Sequence, residues 1–124
     1  MLRLTALLLA AAPILAAPAS AVTPKSPRAF DGRWSIEVVT ERGGCDRAYR
    51  YAIRIENGEA RYEGGTDFTV SGRVAANGAV KGAISRGADR ADVVGTLDGG
   101  SGSGSWTTSG STACGGIWRA ERRS

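Results

Sequence analysis

The strict alternation of apolar and polar residues is what most constrains the fold of this chain. The stretches 34–38 and 49–55 carry an apolar or aromatic residue at every second position, which is the period of a half-buried β-strand. The same alternation recurs to the C-terminal end, and no stretch after the N-terminal apolar run shows helical spacing. The sequence therefore predicts an all-β protein.

Hairpin signals separate the alternating runs. Asn57-Gly58, Asn77-Gly78 and Asp98-Gly99 are pairs that tolerate the positive φ of tight turns. Short connections make chain neighbours antiparallel, and closure into a small up-and-down barrel leaves no bare sheet edge. A β-sandwich or a different strand count is the competing architecture. The predicted strands are 32–40, 48–56, 59–63, 67–75, 79–85, 90–97, 102–108 and 113–121.

Glycines recur between apolar residues on the predicted inner face of the strands. In a narrow barrel, small residues must oppose large ones, and glycine also lets a coiled strand bend. The run GGSGSGSW at 99–106 is therefore interpreted as strand rather than as linker, and the interior is expected to be filled and mostly dry. The predicted core consists of Trp34, Trp106, Trp118, Gly72, Gly82, Gly95, Gly104 and Gly116.

The N-terminal residues 1–21 have the pattern of a secretory signal peptide. One arginine precedes an apolar run, and Ala19-Ser-Ala21 is a small-residue cleavage site. The apolar run is shorter than the ~20 residues of a membrane span and contains prolines. We expect an exported protein, periplasmic or secreted, with an extended segment at 22–29 and a single barrel domain at 30–124.

The two cysteines of the chain, Cys45 and Cys114, predict a disulfide because an exported chain folds in an oxidising compartment. The alternative is a metal site, but two cysteines without a histidine cannot supply the usual four ligands of zinc. In an eight-strand barrel both cysteines fall at the same end, which satisfies the Cα separation that a disulfide requires.

Catalysis is not predicted. The chain has no histidine to activate a nucleophile, and Glu56 and Glu59 flank a hairpin turn as surface carboxylates do. The formal charge of +4 is mild and interspersed with acids, so nucleic acid is not expected as a partner. No cofactor and no metal are expected.

Binding is predicted at the barrel end that carries the longer connections, because binding residues concentrate on loops of a rigid scaffold. The expected partner is an unidentified protein or an acidic ligand, and the protein is expected to be a monomer. A carrier of a small hydrophobic or haem-related ligand and a purely structural cell-envelope protein are the alternatives. The candidate binding residues are Arg42, Arg47, Tyr49, Arg86 and Arg90.

Two resemblances accompany this interpretation. Gly32-Arg-Trp34 resembles the first-strand motif of calycins, which implies a stack of Arg122 on Trp34 at the closed end of the barrel. The motifs 30–34, 45–51, 70–74 and 118–123 resemble a group of small exported bacterial proteins of uncharacterised role, some of them labelled with haem utilisation or adhesion. For haem, the conventional axial ligands outside the cysteines would be Tyr49, Tyr51 and Tyr62.

Overall fold

The computed structural model describes residues 28–109 and 113–124. Each strand pairs antiparallel with its chain neighbour, and the last strand pairs with the first, so that the sheet closes into an eight-strand barrel. This confirms the predicted all-β up-and-down barrel. The strands are β1 (Gly32–Arg42), β2 (Ala48–Glu56), β3 (Glu59–Tyr62), β4 (Thr69–Val74), β5 (Ala79–Arg86), β6 (Asp89–Asp98), β7 (Ser101–Ser109) and β8 (Gly115–Arg122).

Several sequence predictions fall outside the described residues: the signal peptide 1–21, the extended stretch up to residue 27, and residues 110–112 of the last connection. Within 28–109 and 113–124, no helix is long and apolar enough to span a membrane.

Three tryptophans anchor the interior. Trp34, Trp106 and Trp118 are buried, with Trp34 only 1% exposed. Each indole N–H donates to a backbone carbonyl, namely that of Phe30, Val39 and Val94 respectively, at 2.8–3.1 Å. A buried indole N–H without a partner would be costly, so these bonds fix where each ring can lie.

Glycines make room for two of these rings. Gly95 and Gly104 are cross-strand partners, and a Cβ on either would collide with the Trp118 ring. A Cβ on Gly116 would lie 3.0 Å from Nε1 of Trp106, tighter than ordinary van der Waals contact. The small-against-large packing predicted from the sequence therefore operates on β6, β7 and β8.

Gly72 and Gly82 have a different role from the one predicted. They oppose each other across β4 and β5 rather than a tryptophan. A Cβ on Gly82 would lie 2.9 Å from Cα of Gly72 and 2.6 Å from the carbonyl oxygen of Ser71. Here glycine permits the close approach of two coiled strands.

The N-terminal turn seals one end of the barrel. Arg28–Phe30 form a turn rather than an extended segment, and the Phe30 side chain is buried in the core. The Asp31 carboxylate accepts hydrogen bonds from the backbone N–H groups of Asn57 and Gly58 at 2.9 and 3.3 Å. The turn is thereby tied to the β2–β3 hairpin.

A cation–π stack completes this sealed end. The Arg122 guanidinium lies 5.0 Å from the centroid of the Trp34 ring, and its Nη2 donates to the Ala29 carbonyl at 2.6 Å. The stack implied by the Gly-x-Trp motif is therefore present, and it also binds the N-terminal turn.

A disulfide joins the connections at the opposite end. Cys45 precedes β2, Cys114 precedes β8, and their Cα atoms are 6.1 Å apart, which confirms the predicted bridge. The bridge lies where the connection before β2 meets the connection before β8. Its two cysteines are 69 positions apart in the sequence, so the bridge closes a long loop of the chain.

Removal of this disulfide should lower the free energy of unfolding by about 4 kcal/mol, because the unfolded chain regains the entropy of an open loop. The measurement is denaturant unfolding of the wild type and of the C45A/C114A variant. A reductant should destabilise the wild type by a similar amount and leave the variant unchanged. Equal stabilities of the oxidised wild type and the variant would contradict the prediction.

Gly104→Ala should lower the free energy of unfolding by about 1–3 kcal/mol, since the added methyl collides with the Val94 carbonyl on β6 and with the Trp118 ring. Gly44→Ala is the matched control, because a Cβ at Gly44 meets no atom within 4 Å, and its effect should stay within about 0.5 kcal/mol. Thermal or denaturant unfolding measures both. Similar losses in the two variants would show that these close contacts do not require glycine at position 104.

Candidate functional site

Within residues 28–109 and 113–124, the end of the barrel that carries the disulfide contains a cavity that opens to solvent. A cavity of about 220 Å³, here called the mouth, extends from this end into the barrel. Its charged lining residues are Arg86, Asp89 and Arg90. Its deeper walls are mostly apolar and include Val38, Tyr51, Phe68, Ile84, Trp106 and Trp118.

Below the mouth, the interior holds a smaller void. It measures about 80 Å³ and shares Ile36, Tyr51 and Trp118 with the mouth. The centre of the barrel is therefore largely filled, and the remaining space is concentrated toward the open end.

Aromatic rings form one wall of the mouth. Phe68 meets Tyr51 edge to face, with ring centroids 5.3 Å apart, and meets Tyr62 in the same way at 5.7 Å. The pairing of β3 with β4 ends at Ala60 and Gly72, and Tyr62 and Phe68 lie just past that point. The cluster supplies side-chain packing where the ladder stops.

Arg86 lies at the entrance of the mouth. Its Cζ is 5.6 Å from the centroid of the Phe68 ring, a cation–π distance. Among the described residues no carboxylate forms an ion pair with it, although Asp89 is its cross-strand partner. Among the described residues, the guanidinium at the edge of the mouth therefore has Asp89 as a neighbour but no carboxylate within ion-pair distance.

The other predicted arginines are placed differently. Arg90 is bound to Asp92 at 3.1 Å, so its charge is partly neutralised. Arg42 lies over Gly115, where a Cβ would collide with its guanidinium, and neither Arg42 nor Arg47 lines the mouth. The structure therefore brings Tyr49, Arg86 and Arg90 together at the mouth, whereas Arg42 and Arg47 lie outside it. These five residues are here called the rim.

The connection between β5 and β6 is shorter than predicted. The sequence indicated a longer loop over 86–89, whereas Arg86 pairs with Asp89 and only Gly87 and Ala88 form the turn. Gly87 has φ of +59°, which favours glycine. Because this turn is tight, Arg86 is held by a strand end rather than by a loop.

Tyr49 is the exposed aromatic residue of the rim, at 38%. Its hydroxyl donates to the Asp46 carboxylate, and this hydrogen bond, followed by partial burial and the Asp46 charge, raises the pKa of Tyr49 above 10.0. Burial raises the pKa of Tyr51, and the nearby Arg86 charge opposes the shift in both residues. Both phenols are therefore neutral hydrogen-bonding groups at neutral pH.

Two functional features were missed from the sequence. Phe68 was identified only as part of a strand, although it supports Arg86 at the mouth. The alternation of Phe68 and Val70 indicated inward side chains, but it could not show that the β3–β4 ladder ends early. Phe30 was noted only as part of a resemblance, although it is buried at the sealed end.

The mouth offers an apolar surface, a cation that forms no ion pair with the described carboxylates, and two neutral phenols. These groups can make apolar contacts, charged contacts and hydrogen bonds. Comparisons with protein-family models, curated proteins and solved structures found no match.

Asp46→Asn should lower the pKa of Tyr49 toward 10.0, because the hydrogen bond to a charged carboxylate is lost. In the wild type the pKa of Tyr49 is higher in the folded state than in the unfolded state, so this hydrogen bond stabilises the fold below about pH 10. The stabilisation is lost as the pH rises through the pKa of the folded state. Spectroscopic titration of the tyrosines measures the shift, and the pKa of Tyr51 should not follow it. An unchanged Tyr49 pKa would contradict the assignment.

Proposed function

We propose that this chain is an exported, non-catalytic binding protein that takes a partner protein at the mouth and the surrounding rim. The observation that carries the proposal is the difference between the two ends. One end is sealed by the N-terminal turn, with Phe30 buried beneath it. The other is open, apolar and bordered by Arg86.

Export is supported by two features. The Cys45–Cys114 disulfide is typical of an oxidising compartment, and residues 1–21 have the composition of a secretory signal. The proposal places the folded domain in the periplasm or outside the cell.

The size and composition of the mouth favour a protein partner. Pockets for small ligands usually measure about 300–1,000 Å³, and the mouth measures about 220 Å³. Tyrosine, tryptophan and arginine dominate the residues that carry binding energy in protein interfaces. The rim and mouth supply these types as Tyr49, Arg86 and Trp106.

A carrier of a small apolar ligand is the second candidate. It is favoured by the inner void of about 80 Å³, which adjoins the mouth and shares its apolar lining. A slim ligand could enter through the mouth and fill both spaces. Native mass spectrometry of protein purified from its own host distinguishes this candidate by the mass of a retained small molecule.

The proposal predicts that the rim arginines are needed to retain a partner. The quadruple variant R42S/R47S/R86S/R90S should lose a partner that the wild type captures from envelope extract at about 0.15 M salt, where weak surface attractions are screened. The variant R61S/R73S/R119S/R123S is the control, because it removes the same charge from other exposed positions. Quantitative mass spectrometry of the captured proteins measures the difference.

Capture of the same proteins by both quadruple variants, or of none by the wild type, would contradict the proposal. Both variants should retain the disulfide and the wild-type circular dichroism spectrum, because all the substituted side chains are exposed.

A further inference from the structure

We propose that the mouth receives a single large apolar side chain of a partner polypeptide, with a carboxylate on the neighbouring residue held by Arg86. This inference rests on the proposed function and names the chemistry of the partner segment. It is carried by the volume of the mouth, by its lining and by the environment of Arg86.

The volume suits one side chain. An apolar cavity of about 150 Å³ can hold benzene, so a cavity of about 220 Å³ has space for the benzyl group of phenylalanine. A whole lipid chain or a large cofactor would require the core around Trp118 to move.

The lining suits an apolar and preferably aromatic group. Tyr51 and Phe68 already meet edge to face at 5.3 Å, and Trp106 and Trp118 lie across the mouth from them. A further ring at that position could make edge-to-face contacts of the same kind. The indole N–H groups of both tryptophans are already bonded to carbonyls, so the rings present only their apolar surfaces.

The position of Arg86 sets the place of the carboxylate. Its guanidinium lies near the Phe68 ring at the entrance, and no described carboxylate forms an ion pair with it, which leaves N–H groups for a ligand. An arginine can bind a carboxylate through two parallel hydrogen bonds. An apolar group that fills the mouth would bring the adjacent residue of its chain to this entrance.

Acidic groups near the entrance also affect how tightly a carboxylate binds at Arg86. Asp89 faces Arg86 across the β5–β6 hairpin without forming an ion pair, and Asp46 is bound by Tyr49. Asp92 pairs with Arg90. Asp89 is therefore the group that would repel an incoming carboxylate, and its removal should strengthen binding while removal of Arg86 weakens it.

The test uses short peptides of defined sequence and NMR titration of the full folded domain. The probes are acetyl-Gly-Phe-Glu-Gly-amide, the same peptide with Lys in place of Glu, and the same peptide with Ala in place of Phe. The indole N–H signals of Trp106 and Trp118 and the methyl signals of Ile84 report on the mouth. The Phe-Glu peptide should bind about tenfold more tightly than the Phe-Lys peptide, and the Ala-Glu peptide should not saturate.

Variants of the domain test whether the preference for the Phe-Glu peptide over the Phe-Lys peptide arises from Arg86 and Asp89. Arg86→Gln should bring the ratio of the Phe-Glu and Phe-Lys affinities close to one, and Asp89→Asn should increase it. Arg119→Gln, an exposed arginine on the outer face of β8, should leave the ratio unchanged. Because Arg86 is exposed at the end of a strand, its replacement should not unfold the barrel.

Equal binding of the Glu and Lys peptides, shifts confined to the outer wall, or tighter binding of free octanoate than of the Phe-Glu peptide would each overturn the inference. The proposed function has a separate readout, the loss of a captured protein in the quadruple rim variant. If the peptides fail while that loss is seen, the protein binds a partner at the rim without inserting a side chain. If the peptides bind as expected and no protein is captured, the mouth chemistry stands and the proposed function is wrong.

Discussion

The contact of glycine backbone with tryptophan rings is the constraint on which this barrel depends. Eight strands enclose a narrow interior, and the Trp118 ring extends from β8 over the neighbouring β7 to β6 only because Gly104 and Gly95 carry no side chain. The indole N–H then bonds to the Val94 carbonyl at 3.0 Å, which fixes the ring across β6. Close packing of this kind leaves little space in the middle of the barrel. The space that remains lies toward one end.

The two ends are stabilised by different means, and this difference creates the candidate site. At the sealed end, the N-terminal turn contributes the buried Phe30, the bonds from Asp31 to the β2–β3 hairpin, and a carbonyl for Arg122. At the open end, no turn among the described residues covers the core in this way, and the Cys45–Cys114 disulfide holds the connections together. A covalent link can stabilise an end without filling it, whereas apolar packing cannot. The aromatic rings at the open end therefore border a cavity instead of a covering turn.

The strands could be predicted closely because alternation and turn residues are local signals. Asn57-Gly58 adopts positive φ at both positions and forms the predicted turn. The disulfide was predicted from the expectation of export, and the eight-strand count agreed with it by placing both cysteines at one end. The role of Gly72 and Gly82 could not be predicted, because it depends on how tightly β4 and β5 coil. Likewise, Arg86 was identified by its place in the chain, but its stack on Phe68 depends on a β3–β4 ladder that ends at Ala60 and Gly72.

The early end of that ladder also explains why the mouth is aromatic on one side. Where strands stop pairing, the barrel wall loses hydrogen bonds and must be closed by side chains if water is to be kept out of the core. Tyr51, Tyr62 and Phe68 do so through mutual edge-to-face contacts at 5.3–6.1 Å. Phe68 is also the ring over which the Arg86 guanidinium lies. A structural requirement of the wall thus places an aromatic face and a cation beside the open end, and these are the two groups on which the proposed binding site depends.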